Sequence, residues 1–197
     1  MPTSRNAGRL RLASESQRTP LVPSAVMGML IFVFTELMLF AGLISAFTIV
    51  RAGALVWPPP GQPRLPIPAT AFNTGVLLAS GISLFLAQRR FFRDRAAARR
   101  PLLLAMLLGA FFVLFQGFEW VRLIAQGLTL TSSTLGSFFY LIVGLHALHA
   151  LAALGVLVHT WRRLARGWLA QDQLAAAQVF WYFVVGLWPA LYAVVYL

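Results

Sequence analysis

Five apolar runs dominate this chain, each near or beyond the roughly 20 residues that a helix needs to cross the hydrocarbon core of a bilayer. They lie at about 24–50, 69–88, 101–125, 135–161 and 174–196. A barrel would show segments of about ten residues alternating polar and apolar, a pattern these runs lack. Only helices and closed barrels satisfy their own backbone in lipid. The expected fold is therefore all-α, an integral membrane bundle of five transmembrane helices. The first run is longer than a signal-peptide core and has no small-residue cleavage site, so it reads as a retained span. Residues 1–23 are polar, basic and broken by Pro2, Pro20 and Pro23, which predicts a flexible cytoplasmic arm ahead of a bundle occupying 24–197.

Composition narrows the chemistry. The chain is 59% hydrophobic and only 11% charged, whereas soluble domains are about one quarter charged. The absence of cysteine removes thiolate metal sites, iron-sulfur clusters, disulfides and a cysteine nucleophile. The net charge of +11 comes entirely from arginine, with no lysine. In a soluble protein this excess would suggest nucleic acid; here the arginines flank apolar runs and act as topology signals, so no nucleic-acid partner is expected. Thirteen of the sixteen fall before the first run, between the second and third, or between the fourth and fifth, leaving Arg51, Arg64 and Arg122 on the other side. Positive charge stays on the cytoplasmic side, which predicts a cytoplasmic N-terminus, an outer C-terminus and, by extension, a bacterial inner membrane. Trp57, Trp120 and Trp161 fall near span ends, where an indole favours the headgroup layer. The proline-rich stretch 57–68 is expected to be a stiff, non-helical strap.

Two carboxylates fall inside spans, Glu36 in the first and Glu119 in the third. A buried charge there costs about 2.5–3.5 kcal/mol on insertion scales, so each acid should face protein or water and have a partner. A rise of about 1.5 Å per residue puts the two at depths differing by roughly 9 Å, which predicts separate partners. The two readings are a proton relay and a hydrogen-bonded lock between helices. Gln116 stands three residues before Glu119, so a polar cluster along the third span is expected. His146 and His149, three apart on the fourth span, share a face as a helical metal site requires, but too few acids accompany them for a carboxylate-bridged site, and His159 lies on the same helix. They are read as histidines bonding across a helix interface, with no metal, haem or catalytic group in this chain. Gly136, Gly144, Ala147, Ala150 and Gly155 are expected to let a neighbour approach the fourth span closely.

A series of motifs then occurs in order: Thr35-Glu36 with Met38-Leu39-Phe40, Trp57-Pro58-Pro59, Asn73-Thr74-Gly75 running to Ser80-Gly81, Gln116 to Glu119, Gly136-Ser137-Phe138-Phe139 with Gly144, His146 and His149, and Trp181 to Trp188. Through these the chain resembles subunit III of the haem-copper cytochrome c and quinol oxidases, over nearly its whole length from the first span onwards. The resemblance implies the five-helix form, docking on the catalytic subunit I, and the company of subunit II and smaller subunits. It also implies no redox centre in this chain, with haem and copper in the partner subunits, a supporting part in oxygen and proton access, and membrane lipid, phospholipid included, as the candidate ligand. Asn73 and Thr74 join Glu36, Gln116, Glu119, His146 and His149 as buried polar candidates.

One departure stands out. The family usually carries a His and an Asp in the last helix, where this chain has Tyr182 and Val185. That change leaves a second reading, a subunit III-like partner of a nitric oxide reductase. A third, an independent proton-coupled transporter using Glu36 and Glu119, finds no inverted repeat in the sequence.

Overall fold

A computed structural model describes residues 23–197. The arm expected over 1–23 therefore lies almost wholly outside the described residues. Five helices follow: α1 (Ser24–Ala52), α2 (Ile67–Phe91), α3 (Arg99–Ala125), α4 (Thr134–Ala165) and α5 (Gln171–Leu191), the last continued by a π-helical turn, Tyr192–Tyr196. All five are long and apolar enough to cross a membrane, and among the described residues there is no strand.

The helices overrun the apolar runs at most of their ends. Hydropathy stops counting where arginine begins, yet arginine is a good helix former whose stem lies along apolar surface while its head reaches water. Arg89 and Arg90 accordingly close α2, and Arg99 opens α3. The proline strap is also shorter than expected. Helix α2 already begins at Ile67, with Pro68 in its first turn, where a missing N–H costs nothing because that donor has no intrahelical partner.

Two helix ends are fixed by glycine. Gly127 and Gly167 adopt φ of 94° and 78°, conformations in which a side chain would be strained. Behind them Leu128 N donates to Leu123 O and Trp168 N to Arg163 O, each at 3.0 Å or less. These bonds satisfy carbonyls left open at the ends of α3 and α4. Ser133 starts α4 by accepting from Gly136 N at 3.1 Å, the usual work of an N-cap hydroxyl.

Side-chain bonds tie neighbouring helix ends together. Arg51 at the end of α1 donates to the carbonyls of Val194 and Leu197 at 3.0 and 3.1 Å, so α1 and α5 run parallel. Arg99 donates to Ala165 O at 3.0 Å and Ser83 to Pro101 O at 2.8 Å, which sets α3 antiparallel to both α4 and α2. Helix α5 is the centre of the bundle: Trp181, Val184, Trp188 and Leu191 are fully buried on it. Helix α1 is the outermost, burying only Phe40 and Phe47.

Candidate functional site

The polar side chains expected as a site do not form one cluster. They divide into three places along the bundle, each joining different helices.

The first joins α1 to α4. His149 Nδ1 stands 2.8 Å from Leu145 O; a carbonyl only accepts, so this nitrogen carries a proton. The other ring nitrogen, Nε2, lies 3.1 Å from Glu36 Oε2. The approach is close but off the axis of an aligned hydrogen bond. With Nδ1 committed to the carbonyl, Nε2 is the ring nitrogen that faces the carboxyl. Phe40, Phe183 and Phe180 surround the imidazole, with ring centroids 5.6, 5.9 and 6.4 Å away. Separated charges lack solvation in such surroundings.

The second place joins α2, α3 and α5. Asn73 Nδ2 donates to Phe112 O at 3.1 Å and lies 3.4 Å from Gln116 Oε1, while Gln116 Nε2 donates to the Tyr196 hydroxyl at 3.1 Å. Thr74 donates to Thr70 O at 2.8 Å and accepts from the Trp188 indole at 2.9 Å. About two helical turns further along, the Trp181 indole donates to Ser80 Oγ at 3.2 Å. Gln116 thus works across helices and makes no bond to Glu119, contrary to the cluster expected along the third span. Residues three apart share a face only approximately, and here Gln116 turns to Asn73 and Tyr196.

The third place is at the far end of α3, where Arg122 donates to Glu119 at 3.3 Å. The carboxylate is buried and the guanidinium is more than half exposed. Glu36 and Glu119 consequently have separate partners.

His146 departs from its expected role. It is 1% exposed, and neither ring nitrogen has a hydrogen-bond partner among the described residues. Its ring is instead tilted over Trp188 with centroids 4.9 Å apart. Three residues advance a helix by about 300°, so His149 meets α1 while His146 turns under α5. His159 is exposed near the end of α4. Among the described residues no three His, Cys, Asp or Glu side chains group as a metal site requires.

The small residues of α4 do little of the close packing expected of them. A Cβ on Gly155 would meet nothing within 4 Å, and one on Gly144 only Trp120 at 3.7 Å. Gly136 is tight, but against the loop before α4 and not a neighbouring helix: a Cβ there would run into the Thr129 carbonyl. The tight approaches between helices are at Gly109, against Trp181, and at Gly81, where a Cβ would stand 3.1 Å from Val185 Cγ1. Val185 therefore fills an apolar contact with α2, whereas Tyr182 is exposed on the outside of α5. Ser80, Trp181 and Trp188 enter the sequence reading only as parts of the motifs, and Tyr196 and Gly109 not at all, yet all five hold the helices together. The spacing of the two tryptophans, seven residues and hence two turns apart, was the available signal that one face of α5 meets hydroxyls on α2.

Five apolar helices around an inward-facing polar seam define a polytopic membrane protein of the helical-bundle class. Within that class the chain belongs to the cytochrome c oxidase subunit III family, whose model matches residues 14–197. It is 34% identical over 176 residues to a probable cytochrome c oxidase subunit 3 of Nocardia farcinica, covering 86% of this chain and 85% of the relative. A similarly named protein of Mycobacterium leprae is 36% identical over 175 residues, with the same coverage. The cytochrome c oxidase subunit 3 of Rattus norvegicus is 30% identical over 193 residues, 92% of this chain and 73% of the relative.

Proposed function

We propose that this chain is the accessory subunit III of a haem-copper terminal oxidase in aerobic respiration, docked on the catalytic subunit I, with subunit II and smaller subunits in the same complex. Haem and copper belong to the partners. The observation that carries this reading is the membership of the family over residues 14–197, and the inward commitment of the polar side chains supports it. The Trp188–Thr74 and Trp181–Ser80 bonds and the Asn73–Gln116–Tyr196 chain hold helices together. Buried bonds of this kind favour one arrangement of the bundle. Such a bundle offers a catalytic neighbour a rigid, apolar flank.

Among the described residues the Glu36–His149 pair sets a carboxyl against an imidazole across two helices, an arrangement that can hold or yield a proton. Its carboxyl is carried by α1, the helix least covered by the others, so a partner or lipid completes its shelter. In this reading the arginine-bearing end of the bundle is cytoplasmic, the membrane is the bacterial inner membrane, and phospholipid fills the surfaces left between this chain and its partners.

Purification through a tag on this chain, followed by a mass-spectrometric subunit inventory and an optical haem spectrum, tests the reading. Co-purification of a haem-bearing subunit I is the expected result; isolation of the chain without any haem protein would count against it.

A second reading, a nitric oxide reductase as partner, draws on Val185, whose side chain packs against Gly81 where the family's usual acid would bring charge. Reduction of oxygen against reduction of nitric oxide by the purified complex separates the two.

A further inference from the structure

Two arginines share one cavity at the end of the bundle remote from the arginine-rich loops. Arg51, in the last turn of α1, and Arg64, in the proline strap, both line a space of about 410 Å3 between the strap and the C-terminal turn. Small-molecule sites commonly have volumes of about 300–1,000 Å3. Arg51 spends two N–H groups on the oxygens of Val194 and Leu197, and a guanidinium has five. Arg64 is exposed and makes no ion pair among the described residues. Glu119, which shares a smaller neighbouring cavity with Arg64, is bonded to Arg122 instead. No Asp or Glu side chain lines the larger space. Even with Leu197 counted as a terminal carboxylate, two guanidiniums against one carboxylate leave a positive charge over.

The strap that carries Arg64 is held on both sides. Gln62 accepts from Ser132 and the Ile67 carbonyl from Tyr192, each at 3.2 Å, and Trp57 meets Phe47 edge to face at 5.6 Å. Proline has a carbonyl and no N–H, so Pro58 and Pro63 on the cavity wall add acceptors without competing donors.

A groove of about 530 Å3 adjoins this cavity and shares Arg51 and Trp57 with it. Phe47 and Thr48 line the groove one helical turn before Arg51, on its membrane side. Thr48 is exposed on α1, the least covered helix, so the groove is open to lipid. An indole such as that of Trp57 favours the headgroup layer.

We propose that the cavity binds the phosphate of an anionic phospholipid whose head carries hydroxyls, with one acyl chain laid in the adjoining groove. Guanidinium matches phosphate through paired, charge-assisted bonds, and head hydroxyls donate to the strap carbonyls. A choline head has no hydroxyl and no net charge to offer, and an ammonium head sets a further cation beside the two arginines. A soluble phosphate would use the arginines and leave the groove without an occupant. The site belongs to this chain whichever enzyme it accompanies, and on the orientation proposed above it faces the outer leaflet.

The test uses the complex purified through this chain and reconstituted in phosphatidylcholine nanodiscs, with phosphatidylglycerol bearing a photoreactive acyl chain as the probe and labelled peptides mapped by mass spectrometry. Saturable labelling within residues 47–65, at one lipid per chain, is expected. Unlabelled phosphatidylglycerol should compete about tenfold better than phosphatidylcholine or phosphatidylethanolamine, the gain from charge-assisted bonds. Arg64→Gln, at an exposed side chain with no ion pair to lose, should assemble normally and erase that preference. Thr48→Trp, which fills the groove, should abolish labelling of 47–65. Label spread evenly over lipid-facing residues, equal competition by phosphatidylcholine, or unchanged selectivity in Arg64→Gln would overturn the proposal. So would displacement by inorganic phosphate at matched concentration, which would mark a soluble-anion site. If Thr48→Trp fails to assemble, the competition and Arg64→Gln still decide.

Discussion

The indole of Trp181 on α5 lies where a side chain on Gly109 of α3 would stand: a Cβ built there comes within 2.7 Å of Trp181 Cζ2 and nearer still to the neighbouring ring carbon. The indole cannot give way, because it is fully buried and its N–H is bonded to Ser80 on α2. One glycine therefore sets the spacing of three helices.

Gly109→Ala should accordingly destabilise the bundle, despite alanine's better helix propensity of about 1 kcal/mol. Overpacking of this kind costs about 1–3 kcal/mol. A thermal unfolding series in detergent should place Gly109→Ala well below the parent and Gly155→Ala, whose Cβ meets nothing, at or above it. Equal melting of the two variants would remove Gly109 from this role.

The bundle was legible in the sequence because lipid leaves few alternatives: long apolar runs must be helices, and five of them are plain. Their pairing was not. Nothing in the sequence states that α1 lies against α5 and α4, so the meeting of Glu36 with His149 was out of reach, although both side chains had been singled out. His146 and His149 were given one role because they are three apart, yet a difference of about 60° around the helix is enough to give them different neighbours. Gly109 escaped notice for a related reason. A small residue matters only through what faces it, and Trp181 is 72 positions away in the chain. The helix ends were misjudged because hydropathy measures solvent preference, whereas helices continue through their arginine-bearing turns.

Thr74 and Trp188 allow the strength of the seam to be measured. The indole donates to the hydroxyl at 2.9 Å, and both groups are buried. Thr74→Val keeps the shape but leaves the N–H without a partner, and Trp188→Phe removes the donor. A double-mutant cycle of the two should return a coupling near the 0.6 kcal/mol average for membrane hydrogen bonds and below about 1.7 kcal/mol. Zero coupling would reduce this contact to packing alone.

The absence of cysteine makes topology directly measurable by labelling single introduced thiols. Ala97→Cys lies between α2 and α3 and Gln62→Cys between α1 and α2, at opposite ends of the bundle. With the arginine-rich end cytoplasmic, an impermeant maleimide applied to intact spheroplasts should label Gln62→Cys and spare Ala97→Cys until the membrane is opened. The reverse pattern would invert the orientation.

Glu36 and His149 make the sharpest distinction between a structural lock and a proton-handling pair. Glu36→Gln places an amide N–H where a carboxylic acid would present its O–H, so it can still donate to Nε2, whose 3.1 Å separation from the acid leaves room for such a bond. Assembly should persist and electron transfer should fall by less than tenfold. Glu36→Leu leaves Nε2 facing hydrocarbon, a loss of about 1–3 kcal/mol, and should lower the temperature at which the complex dissociates. Infrared difference spectra locate the proton independently: a protonated carboxyl gives a carbonyl stretch that Glu36→Gln abolishes, whereas a carboxylate gives none. Retained assembly of Glu36→Gln with complete loss of electron transfer would mean that the pair passes a proton during turnover, because the amide preserves the contact and lacks only the exchangeable acid.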